Sequence, residues 1–350
     1  MNEKGQMTDH TTAPQPEAAV GGASSEGGEI QHGALRIGDK VQLTGPKARM
    51  HTLILQRGAE FHTNKGAIRH DDLIGAPDGS VVESTQGVRY LALRPLLRDE
   101  VLSMPRGAAI IYPKDAVQIL ALADVHPGAR VVEAGVGSGA LSMWLLRSLG
   151  ETGRLFSFER REEFAEIADA NVSGHFGRHP ENWTVTVGDL QQELPAVVAE
   201  GSADAVVLDM LAPWETIDAA ATALRPGGVL VVYVATVTQL SRVSETIRDR
   251  GCFTVPQATE TMERDWHVEG LAVRPEHRMI GHTGFLTSAR RLADGVDLPE
   301  ISRRPAKDAF DPDDLAVWTP GSVGARNTSE KKLRKSVRTA QRQRDQRAAE

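Results

Sequence analysis

The sequence predicts an α/β protein in which a mostly parallel sheet carries helices on both faces and follows a small β-rich domain. Three observations support this fold class. Short apolar runs alternate with helical segments from about residue 115 to residue 250, and one of these runs leads directly into a glycine-rich turn. Residues 34–100 instead contain short β-like runs separated by turns. Strands that alternate with helices form parallel sheets, because each connection has to cross a face of the sheet.

The N-terminal third divides near residue 33. Residues 1–33 contain few large apolar side chains and many small ones, which predicts a disordered N-terminal extension. Residues 34–100 are predicted to form the small β-rich domain, because Gly- and Pro-containing turns separate its β-like runs. The predicted strands are Lys40–Thr44, Thr52–Leu55, Ser80–Ser84 and Val88–Leu93.

Residues 101–295 are predicted to form the larger α/β domain. A helix over Asp115–Asp124 is predicted first, from apolar residues at helical spacing. The predicted strands are Arg130–Ala134, Leu155–Glu159, Thr184–Val187, Ala205–Asp209 and Val229–Val234. The predicted helices between them are Ala140–Leu149, Glu162–Ser173, Glu215–Leu224 and Gln239–Arg250. Two later β-like runs, Glu260–Arg264 and Gly284–Arg290, are expected to pair antiparallel at one edge of the sheet.

Composition narrows the class of protein. Hydrophobic residues make up 40% of the 350 residues, which is enough for a sizeable core. The single cysteine, Cys252, excludes an internal disulfide framework and is typical of a reducing compartment. The sequence has no apolar run of membrane-spanning length, and its first residues lack an apolar signal core. We therefore expect a cytoplasmic protein without a membrane partner.

Charge is distributed unevenly along the chain. The net charge is −7, yet residues 326–350 hold nine bases and three acids, which gives this segment +6. Residues 296–350 are predicted to be a linker and a basic tail. Residues 329–348 have a helix-forming composition but almost no apolar face, so the tail is expected to be disordered, or helical only when bound. A basic tail on an acidic body indicates either a polyanionic partner such as nucleic acid or a solvated surface segment.

The most informative motif is the turn after the strand Arg130–Ala134. Gly135, Gly137 and Gly139 form a Gly-x-Gly-x-Gly sequence that opens the next helix. Glycine lacks a Cβ, so the backbone N–H groups of such a turn approach a ligand closely. A nicotinamide dinucleotide requires Gly-x-Gly-x-x-Gly, and the Leu141 that follows weakens that alternative. A tight connection without a ligand is the structural alternative.

Acidic residues stand at the ends of successive strands, namely Glu133, Glu159, Asp189 and Asp209. In a parallel sheet these ends share the edge where ligands bind. Carboxylates accept hydrogen bonds from ribose hydroxyls and amines, so they suit a nucleoside better than a phosphate. The pattern predicts S-adenosyl-L-methionine (AdoMet), with Glu159 on the ribose and Asp189 on the adenine amine. An exposed strand end at Glu159 and a helix N-cap at Asp189 are the alternatives.

Aromatic residues flank this edge of the sheet. Asp209 is expected to face the transferred methyl group, and Pro213 and Trp214 to form a rigid lip beside it. Tyr112 is a candidate to stack on a flipped-out base, with packing at the domain junction as the alternative. No metal site is predicted, because no Cys or His pair in the sequence has the spacing of metal ligands.

Four runs carry a family resemblance. They are Ile111–Asp115, Glu133–Gly139, Asp209-Met210 with Pro213–Glu215, and Arg274-Pro275 with Met279–Leu286. Together they resemble the bacterial tRNA (adenine-58-N1)-methyltransferases of the TrmI family, especially the actinobacterial branch. The similarity covers roughly residues 35–292. The first and last runs make the resemblance specific, since many AdoMet enzymes share the glycine turn.

The resemblance implies a Rossmann-like class I AdoMet methyltransferase with a mostly parallel seven-stranded sheet. It also implies a homotetramer that acts on the T-loop of tRNA. The AdoMet contacts that it implies are Ser138, Gly139, Ala140, Leu141, Glu159, Phe164, Asp189 and Asp209. Together with the motif residues Glu133, Gly135 and Gly137, these form the predicted cofactor site. The predicted catalytic residues are Asp209 and Tyr112, and core packing is the alternative for Phe164.

The implied reaction transfers a methyl group from AdoMet to N1 of adenine. Asp209, placed against the N6 amine, would stabilise the positive charge that develops on the base, and Tyr112 would hold the ring plane. Three alternatives remain open on the sequence alone. They are a methyltransferase for isoaspartyl protein or a corrinoid precursor, a non-catalytic tRNA-binding subunit, and a nicotinamide dehydrogenase.

Overall fold

The computed structural model describes residues 32–46, 48–299 and 329–348, with side chains up to residue 346. The predicted disorder of residues 1–33 and the predicted linker from residue 296 lie almost entirely outside these ranges. Within them the chain forms an N-terminal β-rich unit, a larger α/β unit and a C-terminal helix.

The N-terminal unit contains six strands, of which the sequence predicted four. They are β1 (Lys40–Thr44), β2 (Met50–Ile54), β3 (Glu60–Thr63), β4 (Gly66–Arg69), β5 (Ser80–Glu83) and β6 (Arg89–Leu93). An antiparallel sheet has the order β2-β1-β6-β5, and β3 pairs with β4 as a hairpin. In β1 the side chains of Val41 and Leu43 alternate into a core that also takes Ile68 of the hairpin.

The larger sheet has seven strands and confirms the predicted mostly parallel sheet. The strands of this unit are β7 (Arg130–Ala134), β8 (Arg154–Glu159), β9 (Trp183–Val187), β10 (Ala203–Asp209), β11 (Leu224–Val234), β12 (Gln257–Thr259), β13 (Trp266–Glu269), β14 (Ala272–Pro275) and β15 (Phe285–Arg290). The sheet order is β12-β15-β11-β10-β7-β8-β9, and β13 and β14 form a separate hairpin. β15 runs antiparallel to both of its neighbours, β11 and β12, and the other described strands of this sheet all run in one direction.

The strand predicted at Glu260–Arg264 is wrong. The edge strand β12 ends at Thr259, and residues 260–265 form no strand. The carbonyl oxygen of Thr261 accepts a hydrogen bond from Lys114 Nζ at 2.7 Å instead of from a neighbouring strand. Strand propensity is local and does not report this tertiary contact with a distant lysine.

Helices cover both faces of the larger sheet, as predicted. They are α1 (Leu97–Ser103), α2 (Pro113–Leu122), α3 (Ala140–Leu149), α4 (Glu162–Phe176), α5 (Leu190–Val197), α6 (Ile217–Ala223) and α7 (Val237–Asp249). Successive residues of a strand point to opposite faces. Val131 of β7 packs in the core that α2 and α3 cover, whereas Val132 packs in the core that α6 and α7 cover. The predicted helix over Glu215–Leu224 begins instead as a 3-10 turn, Pro213–Thr216, and ends at Ala223.

The basic tail is helical, whereas the sequence predicted a tail that is disordered or helical only when bound. Residues Glu330–Ala348 form a helix, α8, which packs against α4. Leu333, Val337 and Ala340 recur at helical spacing on its inner face, and Ala340 is fully buried. Among the described helices none is both long and apolar enough to cross a membrane.

Candidate active site

The site lies where the sheet order reverses, between β7 and β10. Strands β8 and β9 extend the sheet on one side of β7, and β10 and β11 extend it on the other. Chain connections leave such a point in opposite directions, so a crevice opens at the carboxyl ends of the strands. The predicted glycine turn and the carboxylates at the ends of β8 and β10 lie at this edge.

The turn between β7 and α3 requires glycine at two points. A Cβ on Gly135 would stand 2.5 Å from the carbonyl oxygen of Asp209. Gly139 has φ +79°, and a Cβ there would stand 2.9 Å from Val172 Cγ2 and 3.2 Å from the carbonyl oxygen of Ala168, both on α4. The turn is therefore packed tightly against β10 and α4. The N–H of Gly137, between these points, donates to Glu159 Oε2 at 3.1 Å.

Glu133 lies beneath the turn and is fully buried. Its Oε2 accepts hydrogen bonds of 2.7 Å from the hydroxyls of Ser142 on α3 and Ser157 on β8. Burial raises the pKa of Glu133 to about 7, and the two serine hydrogen bonds oppose this only in part. Its Oε1 has no hydrogen-bond partner among the described residues. Glu133 thus ties β7, β8 and α3 together below the predicted cofactor.

Glu159 and Asp189 stand side by side at the next two strand ends. Glu159 is buried, and its Oε1 accepts from the backbone N–H of Arg161 at 3.2 Å. Asp189 accepts the N–H of Gln191 at 3.0 Å and so caps α5, which is the alternative that the sequence left open. Its Oδ2 lies 3.5 Å from Arg160 Nε. Because a carboxylate accepts several hydrogen bonds, Asp189 can cap α5 and also accept from the adenine amine.

Asp209 ends β10 beside the turn. Its neighbour across the parallel ladder is Tyr233 on β11. Burial raises the pKa of Asp209 to about 7, and the negative charge of Glu159 adds to the rise. As a whole residue Asp209 is only partly buried. The negative charges of neighbouring carboxylates raise each other's pKa. The site around Asp209 and Glu159 therefore favours a positively charged ligand.

Two motifs that are distant in the sequence meet beside Asp209. Lys114 Nζ donates to Asp115 Oδ1 at 2.8 Å and to Thr283 Oγ1 at 2.6 Å. The Thr283 hydroxyl donates to Asp115 Oδ2 at 2.5 Å. Tyr112 precedes this pair at the start of α2, with Pro113 as the first helical residue. The network therefore anchors the segment that carries Tyr112 to residues 279–286.

Sequence reasoning missed Tyr233. Its hydroxyl donates to the carbonyl oxygen of Thr283 at 2.7 Å, and a Cβ on Gly284 would stand 2.6 Å from Tyr233 Oη. Burial and the nearby charges of Asp115 and Asp209 raise the pKa of this phenol above its usual value, so it stays protonated. The available signal was one aromatic residue at the carboxyl end of an otherwise aliphatic strand.

The predicted aromatic lip is only partly present. Pro213 and Trp214 are buried rather than exposed, and the Arg242 guanidinium lies 4.1 Å from the centre of the Trp214 ring. They are buried because they pack between α6 and α7. Leu211 is the exposed residue of this loop, at 64%.

The remaining predicted contacts, Phe164, Ala140, Leu141 and Ser138, are all buried. Phe164 is fully buried, and the Arg161 guanidinium covers its ring at 3.7 Å, which fits the packing alternative. Ala140 and Leu141 are buried in the first turn of α3. Ser138 is also buried, and its hydroxyl has no hydrogen-bond partner among the described residues.

These residues fit AdoMet. Gly135 and Gly139 let the turn pack closely against β10 and α4, a Cβ at Gly137 would meet no protein atom within 4 Å, and the buried Ser138 hydroxyl has no partner among the described residues. The carboxylates of Glu159 and Asp209 suit ribose hydroxyls, an amine and a sulfonium cation, and they would repel a phosphate.

Comparisons with known proteins agree on one class of enzyme. Residues 33–82 match the family described as TrmI-like N-terminal, and residues 90–273 match the family described as tRNA methyltransferase complex GCD14 subunit. The tRNA (adenine(58)-N(1))-methyltransferase TrmI of Thermus thermophilus is 36% identical over 247 residues, 70% of this chain and 94% of the relative.

Two solved structures are also similar. An enzyme from Thermotoga maritima described as a SAM-dependent O-methyltransferase matches with a TM-score of 0.70 and 30% identity, over 75% of this chain and 97% of that chain. The tRNA (m1A58) methyltransferase TrmI of Aquifex aeolicus matches with a TM-score of 0.65 and 26% identity, over 74% of this chain and 99% of that chain.

Proposed function

The chain belongs to the family of tRNA methyltransferases that contains TrmI and the GCD14 subunit, and we infer that it methylates N1 of adenine 58 in tRNA. AdoMet is the methyl donor. The observation that supports this conclusion is the position of Asp209, a partly buried residue at the end of β10 whose backbone lies against the glycine turn. The non-catalytic subunit and the dehydrogenase are disfavoured, because neither requires a carboxylate at that place.

The residues that would hold AdoMet line the crevice in chain order. The turn from Gly135 to Gly139 would carry the methionine part, and Glu159 would accept hydrogen bonds from the ribose hydroxyls. Asp189 would accept from the adenine amine while it caps α5. When bound, AdoMet supplies a methyl carbon that its sulfonium centre makes electrophilic.

Asp209 is the proposed catalytic residue. Adenine N1 carries no proton, so no side chain has to act as a base before methylation. The product base is cationic, and a carboxylate against its N6 amine stabilises the charge that develops. Because Asp209 is largely withdrawn from water, its charge acts with little screening on the base.

Tyr112 is the proposed positioning surface for the target base. Stacking on its ring would fix the plane of the adenine, and the Lys114–Asp115–Thr283 network would hold the ring in place. The base has to leave the tRNA fold to enter the crevice, at a cost of roughly a few kcal/mol. Contacts with the remainder of the tRNA have to offset that cost.

We also propose that the protein is a homotetramer in the cytoplasm, where tRNA and AdoMet are available. The hairpin β13–β14 exposes Trp266, Val268, Leu271 and Val273. Contiguous exposed apolar residues mark surfaces that bind other protein chains. Size-exclusion chromatography with light scattering tests this proposal, and a monomeric mass would contradict it.

The function is tested with labelled AdoMet and three acceptors: a tRNA transcript, the same transcript with guanine at position 58, and an isoaspartyl peptide. We expect label in the first transcript alone. Equal labelling of both transcripts would reject the assigned nucleotide, and labelling of the peptide alone would favour the other acceptor class.

A further inference from the structure

The C-terminal helix α8 is a strongly basic element that the proposed reaction does not require. Its residues Glu330–Ala348 include eight bases and two acids, a net charge of +6, whereas the whole chain carries −7. Like charges three and four residues apart repel one another along a helix. Packing on one side of the helix offsets this repulsion within the chain, and an anion bound on the other side would offset it further.

The inner face of α8 is seated on the α/β unit. Leu333 lies against Gly107, where a Cβ would stand 2.6 Å from Leu333 Cδ2. The Ser336 hydroxyl donates to the carbonyl oxygen of Arg106 at 3.0 Å. Further along, Arg344 lies 3.4 Å from Asp169 on α4. The apolar side of the helix is therefore used for docking within the chain.

The contacts also fix the direction of α8. Leu333 shares the surroundings of Gly107 with Phe164 near the start of α4, while Arg344 contacts Asp169 further along α4. The two helices therefore run in the same direction. Since α4 follows Glu159 in the chain, the first turns of α8 lie at the end of the molecule that holds the cofactor carboxylates.

The outer face carries four exposed cations, Lys331, Lys335, Arg338 and Arg342, which we call the basic stripe. At 3.6 residues per turn they lie within an arc of about 60° opposite the buried Ala340, and they extend over about 16 Å of helix. Across the part of the chain that the structure describes, none of the four forms an ion pair. Arg334, to one side, pairs with Glu330 at 3.3 Å.

We propose that the basic stripe binds the sugar–phosphate backbone of the tRNA whose adenine enters the crevice. This inference rests on the proposed function and assigns a partner to a surface outside the reaction centre. A tRNA is far larger than the crevice, so its backbone extends over the neighbouring surface. A row of cations spaced by one helical turn, which begins at the end of the molecule that holds the crevice and extends away from it, suits successive phosphates. A membrane is disfavoured, because the outer face lacks the apolar residues that would enter a lipid layer.

Phosphate contacts position a nucleic acid without reading its bases. The basic stripe therefore acts on tRNA affinity and on its salt dependence. It leaves AdoMet binding and the turnover rate at saturating tRNA unchanged, since none of its residues belongs to the site.

The test compares two full-length variants by filter binding of tRNA at several salt concentrations. The first replaces the four residues by neutral ones: Lys331→Gln, Lys335→Gln, Arg338→Gln and Arg342→Gln. The matched control keeps the charge: Lys331→Arg, Lys335→Arg, Arg338→Lys and Arg342→Lys. We expect the neutral variant to lose at least tenfold in tRNA affinity, and its slope of log affinity against log salt to fall by about 3. The control should bind like the unaltered protein.

Other outcomes overturn the inference. Unchanged affinity and salt slope in the neutral variant would do so, as would an equal loss in both variants, which would indicate packing rather than charge. A change in subunit number without a change in tRNA affinity would assign the face to contacts between copies. If the unaltered protein binds tRNA but transfers no methyl group to it, the proposed function fails while this comparison still decides the role of the stripe.

Discussion

Gly135 and Asp209 are in direct backbone contact: a Cβ on Gly135 would stand 2.5 Å from the carbonyl oxygen of Asp209. The first residue belongs to the turn that would hold AdoMet, and the second carries the carboxylate that would face the target base. A close backbone approach between adjacent strands leaves little freedom for either segment. The cofactor cradle and the catalytic carboxylate are therefore parts of one rigid unit.

Gly135→Ala should push the glycine turn away from the end of β10 at Asp209. The added methyl group meets backbone rather than a flexible side chain, so the turn has to shift. We expect AdoMet affinity in calorimetric titration to fall at least tenfold, and the free energy of unfolding to fall by about 1–3 kcal/mol. Gly174→Ala is the control, because a Cβ there meets only Arg344 Cα at 3.9 Å. Equal AdoMet affinities of the Gly135 and Gly174 variants would contradict the close approach of Gly135 to the Asp209 backbone.

Asp209→Asn should slow methyl transfer while the fold persists. The amide keeps the shape of the side chain but cannot offset the charge that develops on adenine. Removal of one electrostatic partner of a transition state typically lowers the rate by about 10²–10³-fold. Transfer of tritiated methyl groups to tRNA measures the effect. Asp249→Asn, at the exposed end of α7, is the control, and near-normal turnover of the Asp209 variant would reject its catalytic role.

The pH dependence of kcat/KM should report the same carboxylate. Burial and Glu159 raise the pKa of Asp209 to about 7, so the group is protonated below that pH and charged above it. The charged form is the one that stabilises a cation, and kcat/KM should therefore rise as the pH passes from 6 to 8. The rise should be absent in Asp209→Asn. A rise that persists in this variant would show that another group titrates.

Glu133→Gln should change how stability depends on pH. Burial raises the pKa of Glu133 to about 7, whereas an unfolded glutamate has a pKa of about 4.3. Between these values the folded chain binds a proton that the unfolded chain lacks, so stability falls as the pH rises through this window. The variant should lack this contribution, on the order of 3 kcal/mol at pH 8.

Chemical unfolding at pH 5 and pH 8 measures that contribution. Asp209 also has a raised pKa and adds to the fall in both proteins, so the comparison concerns the difference between them. Parallel stability curves for the variant and the unaltered protein would show that Glu133 is charged in the folded state.

Thr283→Val should weaken the contact between residues 111–115 and residues 279–286. Valine keeps the shape of threonine but neither accepts from Lys114 nor donates to Asp115. Leaving buried polar groups without a partner costs about 1–3 kcal/mol. We expect the free energy of unfolding to fall by that amount and methyl transfer to slow, because Tyr112 loses its support. Thr222→Val, at an exposed position of α6, should change neither.

The sequence predicted most of the sheet and part of the site. All five parallel strands appear, because alternating or continuous apolar runs bounded by turns report local structure directly. The glycine turn and Asp209 were also predicted, since a strand end fixes where a side chain emerges. These features depend on residues that are neighbours in the chain.

Features that depend on distant residues were missed. Lys114 and Thr283 are 169 positions apart, and neither residue alone indicates a shared network. Tyr233 is recognisable as a site residue only after β11 is placed beside β10. The tail was predicted to be disordered, or helical only when bound, because it shows almost no apolar face, and its docking becomes clear only from its contacts with Gly107 and α4.

The central claim is that this edge of the sheet directs a methyl group from AdoMet to N1 of adenine 58 in tRNA. Mass spectrometry of nuclease fragments from tRNA treated with the protein and AdoMet tests it most directly. The account predicts one added methyl group, on the fragment that contains adenine 58 and as 1-methyladenosine. A methyl group on another nucleotide, or tRNA that remains unmodified while AdoMet binds, would contradict it.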